Sequence, residues 1–405
     1  MSNLSFIENI QANLPEMMIG TYRLKTINTM LNENPDWKKE CYFNLKKLLR
    51  IMTSEEASDI DLGGPRTNGY IWFRVYGDKT PAQNIPKYKD DEVSAIILSI
   101  LTIEQKEIFF KEKNLDFSIT MYLEENEAPF RFRGDVFYER NTLAVNFRLI
   151  NQDLFSMEDL QFPTPIVKRV NLKFEKSGLI LITGITGSGK SSTLDSIINL
   201  NNTTNNAHII IIGNPIEYIH QSQKSLVTHR EVGEDVLSFG SGSIEALRQD
   251  PDIIVVGEMR DAKTISTVLE VTGSGHKVFS TLHTSSTVES IHRIIAEFPP
   301  DEQERIRFRL ADTLKVVISQ KLVPNRRGSL TLAKGILSIN PSIQAAIRNN
   351  NISEIFQMIT EGKNMGMFTL QQDLYRLVKT AEITPETAMN FANNRKIMHQ
   401  LLKYG

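Results

Sequence analysis

The stretch GITGSGKSS at residues 184–192 concentrates glycines, hydroxyls and one lysine in nine positions. Gly184, Gly189, Lys190 and Ser191 complete the spacing G-x-x-x-x-G-K-[ST], in which glycines let successive backbone N–H groups turn inward on a phosphate. Lys190 would bring a mobile positive charge to the β- and γ-phosphates of ATP, and the Ser191 hydroxyl can sit on Mg²⁺. Thr186, Gly187, Ser188 and Ser192 line the same loop. The alternative is a chance glycine turn before a helix. Context favours the phosphate loop, because the apolar run GLILIT leads into it and TLDSIINL leaves it with helical spacing. That is the strand and the electropositive helix N-terminus such a loop requires.

A phosphate loop needs a carboxylate to polarise the attacking water or to hold Mg²⁺ through water. DIIVVGEMRD puts an apolar strand ahead of Glu258, the candidate catalytic base and metal-site acid; a helix-start glutamate is the competing reading. KVFSTLHT follows, with His276 just before a predicted strand and His283 at its far end. The two are either packed or solvated histidines, or hydrogen-bond partners of the nucleotide. Arginines that could meet phosphate charge are Arg230, Arg248 and Arg260 near the loop, and Arg131, Arg133, Arg140 and Arg148 on predicted N-terminal strands. Each one singly reads as an ordinary surface charge.

The elements that must position these groups fall into distinct stretches. Residues 1–50 mix helical periodicity with polar residues, as in KKECYFNLKKLLRIM, and read as a helical N-terminal extension. Residues 51–155 read as an α+β domain: GYIWFRVYGD and RGDVFYERNTLAVNFRLI alternate like strands, with the helix-spaced DDEVSAIILSILTIEQKEIFFKEK between them. Residues 156–166, with Pro163 and Pro165, read as a linker. Over 167–340 the runs LILIT, HIIIIG, DIIVVGE and KVFSTLH predict a mostly parallel sheet covered on both faces, hence an α/β class. Residues 297–324 read as one helix-like run, and 341–405 as helices broken by Gly362 and Gly366.

The 405 residues are 40% apolar and 23% charged with net charge −2, which gives no global attraction to nucleic acid or anionic lipid. Cys41 is the single cysteine, so no intrachain disulfide or cysteine-based zinc site can form. No apolar run approaches the ~20 residues of a membrane span and the N-terminus has no basic-then-apolar signal, so the expected location is cytoplasmic.

The order of motifs resembles the secretion-superfamily ATPases, and among them the type IV pilus retraction ATPases (PilT/PilU-like). It runs GITGSGKSS, NPIEY, HREVG, ALRQDPDIIVVGEMRD, GSGHKVFSTLHTSS, with ASDIDL, FRFRGDVF and SMEDL upstream and AIRN and GKNMGMFTLQQDL downstream. The resemblance implies a PAS-like N-domain joined to a RecA-like ATPase domain, nucleotide bound between the two, and a homohexameric motor. Such a motor works on an inner-membrane pilus platform protein, and a sister retraction or assembly ATPase is a further implied partner. It also implies that Lys190 and Ser191 bind phosphate and Mg²⁺, that Glu258 activates water, and that Glu217 is a second catalytic acid. His276, His283, Arg230, Arg248 and Arg260 take places around the nucleotide in this scheme, and Arg133 and Arg140 complete a site on domain closure.

Two departures bear on function. The family's usual EDPIEY is GNPIEY here, so Gly213 and Asn214 replace two carboxylates; hydrolysis is expected to survive but slowly. AIRNNNISE keeps only the first part of the family's C-terminal motif. The expected function is a pilus retraction motor ATPase; the alternatives are a weakly active or regulatory PilU-like accessory ring, or a related type IV secretion ATPase.

Overall fold

The computed structural model describes residues 3–15, 17–75, 77–124, 129–150 and 154–405. The chain forms two compact units, residues 1–151 and 152–405.

The first unit is built on a six-stranded antiparallel sheet. Its strands are β1 (Asp59–Gly63), β2 (Trp72–Val75), β3 (Asp78–Pro81), β4 (Asn114–Met121), β5 (Phe130–Glu139) and β6 (Thr142–Leu149), in the order β3-β2-β1-β6-β5-β4. Alternation sorts its two faces. Ile60, Phe132, Val136, Val145 and Phe147 are buried in one core, whereas Asp59, Arg74, Arg133 and Arg148 stand on the other face. Arg140 and Asn141, both at positive φ, close the β5–β6 hairpin as its two turn residues.

Ile7–Ala12, Gly20–Glu33 and Pro35–Ser54 are helices, yet they are not an appendage. Leu4, Ile7, Leu24, Ile27, Leu45 and Leu49 are buried in the same core as the sheet. The stretch 90–112 is two helices, Asp90–Ile100 and Ile103–Glu112, because Thr102 caps the second with the Gln105 side chain returning to its backbone.

The second unit holds a seven-stranded sheet. It comprises β7 (Gly178–Thr183), β8 (His208–Gly213), β9 (Leu226–Glu231), β10 (Ile253–Val256), β11 (Lys277–Leu282), β12 (Leu314–Pro324) and β13 (Leu330–Ser338), ordered β13-β12-β7-β11-β10-β8-β9. All neighbours are parallel except the β12–β13 hairpin. Both faces are covered, so the central strands read as unbroken apolar runs rather than alternating ones. Leu179, Ile210, Ile212, Ile254 and Val256 feed one core, and Ile180, Ile182, Ile209, Ile211 and Val255 feed the other.

Two sequence expectations are corrected here. The run 297–324 is helical only over Pro300–Thr313; from Leu314 it is strand β12. The β-branched Val316, Val317 and Ile318 find pairing partners in β7 and β13, and that pairing overrides the helical spacing. The expected linker is largely packed into the second unit, where Phe162 and Ile166 are buried among the residues of that core. The five helices beyond residue 340 also belong to this unit, and Gly362 and Gly366 punctuate them as expected.

Candidate nucleotide site

In a parallel sheet every carboxyl end points to one edge, and ligands bind there. Five features meet at this edge: the phosphate loop after β7, His283 after β11, Glu258 after β10, Asn214 after β8 and Gln320 on β12.

The loop is shaped by its glycines. A Cβ at Gly184 would stand 2.3 Å from Ser188 Oγ and 2.6 Å from the Gln320 carbonyl oxygen, so no side chain fits. Gly189 has φ +81° and caps the helix Lys190–Thr204 in a conformation that L side chains rarely adopt. Lys190 Nζ donates to the carbonyls of Gly184 (2.9 Å) and Ile185 (3.0 Å), folding over its own loop. Burial lowers its pKa, against the pull of Glu217 and Glu258, so both acids act on this ammonium.

Glu258 has a side chain 12% exposed and sits 2.5 Å from Arg260 and 3.6 Å from His283 Nε2. The His283 pKa is pushed down by burial first and by Lys190 next, with Glu258 opposing. Glu217 is exposed on the segment after β8, in which the Asn214–Pro215 bond is cis.

The residues present fit a phosphate with its magnesium. Thr183 Oγ1, Ser188 Oγ and Gln320 Oε1 are buried around the loop with no hydrogen-bond partner among the described residues. A Cβ at Gly187 would meet nothing within 4 Å, so the loop is open on that side. Ser191 follows Lys190 in the first helical turn, where backbone N–H groups are unpaired and the helix dipole favours an anion.

Other expected site residues lie elsewhere. His276 stands at the opposite edge of the sheet, its Nδ1 3.0 Å from Ser274 Oγ, separated from the phosphate loop by the length of β11, about 20 Å. Arg248 is at that edge too: the adjoining Gln249 carbonyl bonds His208 at the start of β8. Neither reaches the phosphate loop of its own chain. Arg230 ends up at the correct edge but on β9, four strand positions or about 19 Å from β7, and pairs with Glu245 at 2.8 Å. In the first unit Arg133 pairs with Asp116, and it lies about 23 Å along β5 from Arg140, so the two cannot converge on one phosphate from one chain.

Gln320 escaped the sequence reading. Its Nε2 donates to the Ser188 carbonyl at 2.9 Å, holding the loop from below. Its signal in the sequence is a glutamine two residues after the β-branched run Val316, Val317 and Ile318, within a stretch whose spacing is also helical.

Fold and edge chemistry together define a phosphate-loop NTPase. The chain belongs to the type II/IV secretion system protein family, whose profile matches residues 40–398. It is 39% identical over 327 residues to a twitching motility protein of Neisseria gonorrhoeae, covering 80% of this chain and 85% of that one. It is 36% identical over 345 residues to the type IV pilus retraction ATPase PilT of Pseudomonas aeruginosa, covering 85% and 97%. The crystal structure of the pilus retraction motor PilT with bound ADP superposes with TM-score 0.78 at 34% identity, covering 88% of this chain and 98% of the other. The fold is accordingly that of a secretion ATPase, an N-terminal α+β domain followed by the ATPase domain. No helix among the described residues is long and apolar enough to cross a membrane.

Proposed function

We propose that this protein is the motor ATPase of type IV pilus retraction, coupling hydrolysis of ATP to withdrawal of the pilus. The observation that carries the ATPase part is the meeting of Lys190, Glu217, Glu258 and His283 at one sheet edge, with Lys190 under the influence of both acids. The retraction part is supported by the names and coverage of the relatives.

Lys190 and the loop amides hold the β- and γ-phosphates, and Glu258 orients and deprotonates the attacking water while Arg260 turns toward phosphate. Glu217 assists as the second acid, and His283 hydrogen-bonds at the γ-phosphate. Ser191, with Glu258 through water, would hold Mg²⁺, which neutralises charge on the phosphate oxygens when bound. Arg133 or Arg140 from the first unit acts on a nucleotide after domain closure; Arg230, His276 and Arg248 act at a neighbouring subunit's site. The working form is a homohexamer in the cytoplasm, peripheral to the inner membrane through a pilus platform protein, with a sister ATPase as a further partner and no nucleic acid.

One feature favours a second reading. Gly213 and Asn214 stand where the family resemblance implies acids, which suits a slow or accessory ring. The direction of the motor is supported by the single cysteine, far upstream of the β12 region, which leaves no tetracysteine zinc insertion of the kind expected in assembly motors. A deletion strain is expected to display pili that extend and do not withdraw. A strain without surface pili, restored by the intact gene, would reverse the assignment to assembly.

A further inference from the structure

The segment bearing Glu217 is fastened to the phosphate-loop helix by a contact that the reaction described above does not use. Asp195 lies one turn after Ser191 on the same face of the helix Lys190–Thr204, since residues four apart stack along a helix. Its carboxylate stands 3.0 Å from Nε2 of His220, whose side chain is 1% exposed against 16% for Asp195. Nδ1 of His220 is buried without a hydrogen-bond partner among the described residues, so in the neutral ring the single N–H is directed at Asp195.

Around this pair the segment is held at several points. The His220 ring lies 4.6 Å from that of Tyr218 and stacks at 6.2 Å on that of His229, whose Nε2 accepts from the His220 backbone N–H at 3.1 Å. Farther along the same helix, Asn202 donates to the Gln221 carbonyl at 2.8 Å and accepts from the Gln223 N–H at 3.0 Å. Upstream, the Ile216 N–H donates to Glu231 at 3.1 Å. Glu217 therefore sits between an anchor at Ile216 and one at His220. A carboxylate as enclosed as Asp195 is costly to bury unless it is paired, and burial is what raises its pKa against the opposing pull of His220.

We propose that Asp195 and His220 are positioning residues of the ATPase reaction: their contact fixes the Glu217 carboxylate beside the phosphate loop. The phosphate-loop helix and the acidic segment then act as one body, an inference that rests on Glu217 being part of the reacting site. Steady-state ATP hydrolysis and amide hydrogen exchange in the nucleotide-free, full-length protein test it together. Asp195→Ala and His220→Ala should each lower kcat on the order of tenfold, leave the KM for ATP within about twofold, and speed exchange across residues 216–221. His220→Gln, whose amide can still donate to Asp195, should restore most of both properties. In a Glu217→Gln background, Asp195→Ala should cost no further kcat. Should the alanine variants fail to fold, Asp195→Asn serves the same comparison, with an intermediate effect expected and a wild-type result contradicting the proposal. Unchanged exchange at 216–221, or a raised KM at unchanged kcat, overturns the proposal alone. A Glu217→Gln variant turning over at the wild-type rate removes Glu217 from the reaction and takes the proposal with it.

Discussion

Arg260 and Glu258 form a 2.5 Å ion pair just beyond the end of β10, and the second carboxylate oxygen stands 3.6 Å from His283. The guanidinium occupies one carboxylate oxygen, and the other is left to accept from water. Glu258→Gln keeps the shape and removes the base. Its kcat should fall roughly 10²- to 10⁴-fold with nucleotide binding retained. Rates indistinguishable from wild type would take hydrolysis away from this site.

Lys190→Ala should abolish turnover and weaken nucleotide binding together. The loop can still form, because Gly184 and Gly189 shape it, but the mobile charge for the β- and γ-phosphates is lost. A fluorescent nucleotide titration alongside the ATPase assay checks both halves, and wild-type hydrolysis would mean that the engine lies elsewhere.

Restoring acid after β8 separates the two missing carboxylates. Asn214 is exposed, so Asn214→Asp should fold normally and raise turnover if the lost charge limits the reaction. Gly213→Glu is a different matter: a Cβ there would meet Ile216 Cδ1 at 2.8 Å and the Pro215 carbonyl oxygen at 3.2 Å. Any gain in rate from it should come with a lower melting temperature. Unchanged turnover in Asn214→Asp would show that its missing charge is not limiting.

Lys277 predicts a pH dependence of stability. Its side chain is fully buried at the start of β11, with Nζ donating to the carbonyls of Arg169 (2.7 Å) and Glu175 (2.8 Å), and burial lowers its pKa from 10.5 to about 8. A depressed lysine binds its proton more weakly folded than unfolded. Its contribution to stability is full above pH 10.5 and lost as pH falls through about 8. The difference in unfolding free energy between wild type and Lys277→Met should therefore grow from pH 8 toward 10.5, measured by denaturant titration. A flat difference would place the lysine outside this linkage.

Much of the site was legible in the chain order. The phosphate loop, the strand before Glu258 and the histidine after KVFSTL are local patterns, each needing only a few neighbours to declare itself, and backbone sterics fix what such patterns can form. β8, β10 and β11 were readable for the same reason, since a strand buried on both faces is an apolar run wherever it falls. Which of these residues share an edge was not local information. His276 and His283 look equivalent in sequence, yet an extended strand carries its two ends about 20 Å apart, and only the parallel register with β7 decides that His283 is the one beside Lys190. β12 has helical spacing in the sequence, and pairing with β7 and β13 rather than propensity makes it a strand, so Gln320 carries no unambiguous local signal of its place at the site. The Asp195–His220 contact joins a helix to a segment 25 residues on, and spacing in sequence says nothing about a distance set by how that segment folds back. Sequence alone determined the chemistry available to this protein; the tertiary structure decided which side chains meet, because strand order and register are fixed by packing across the whole sheet.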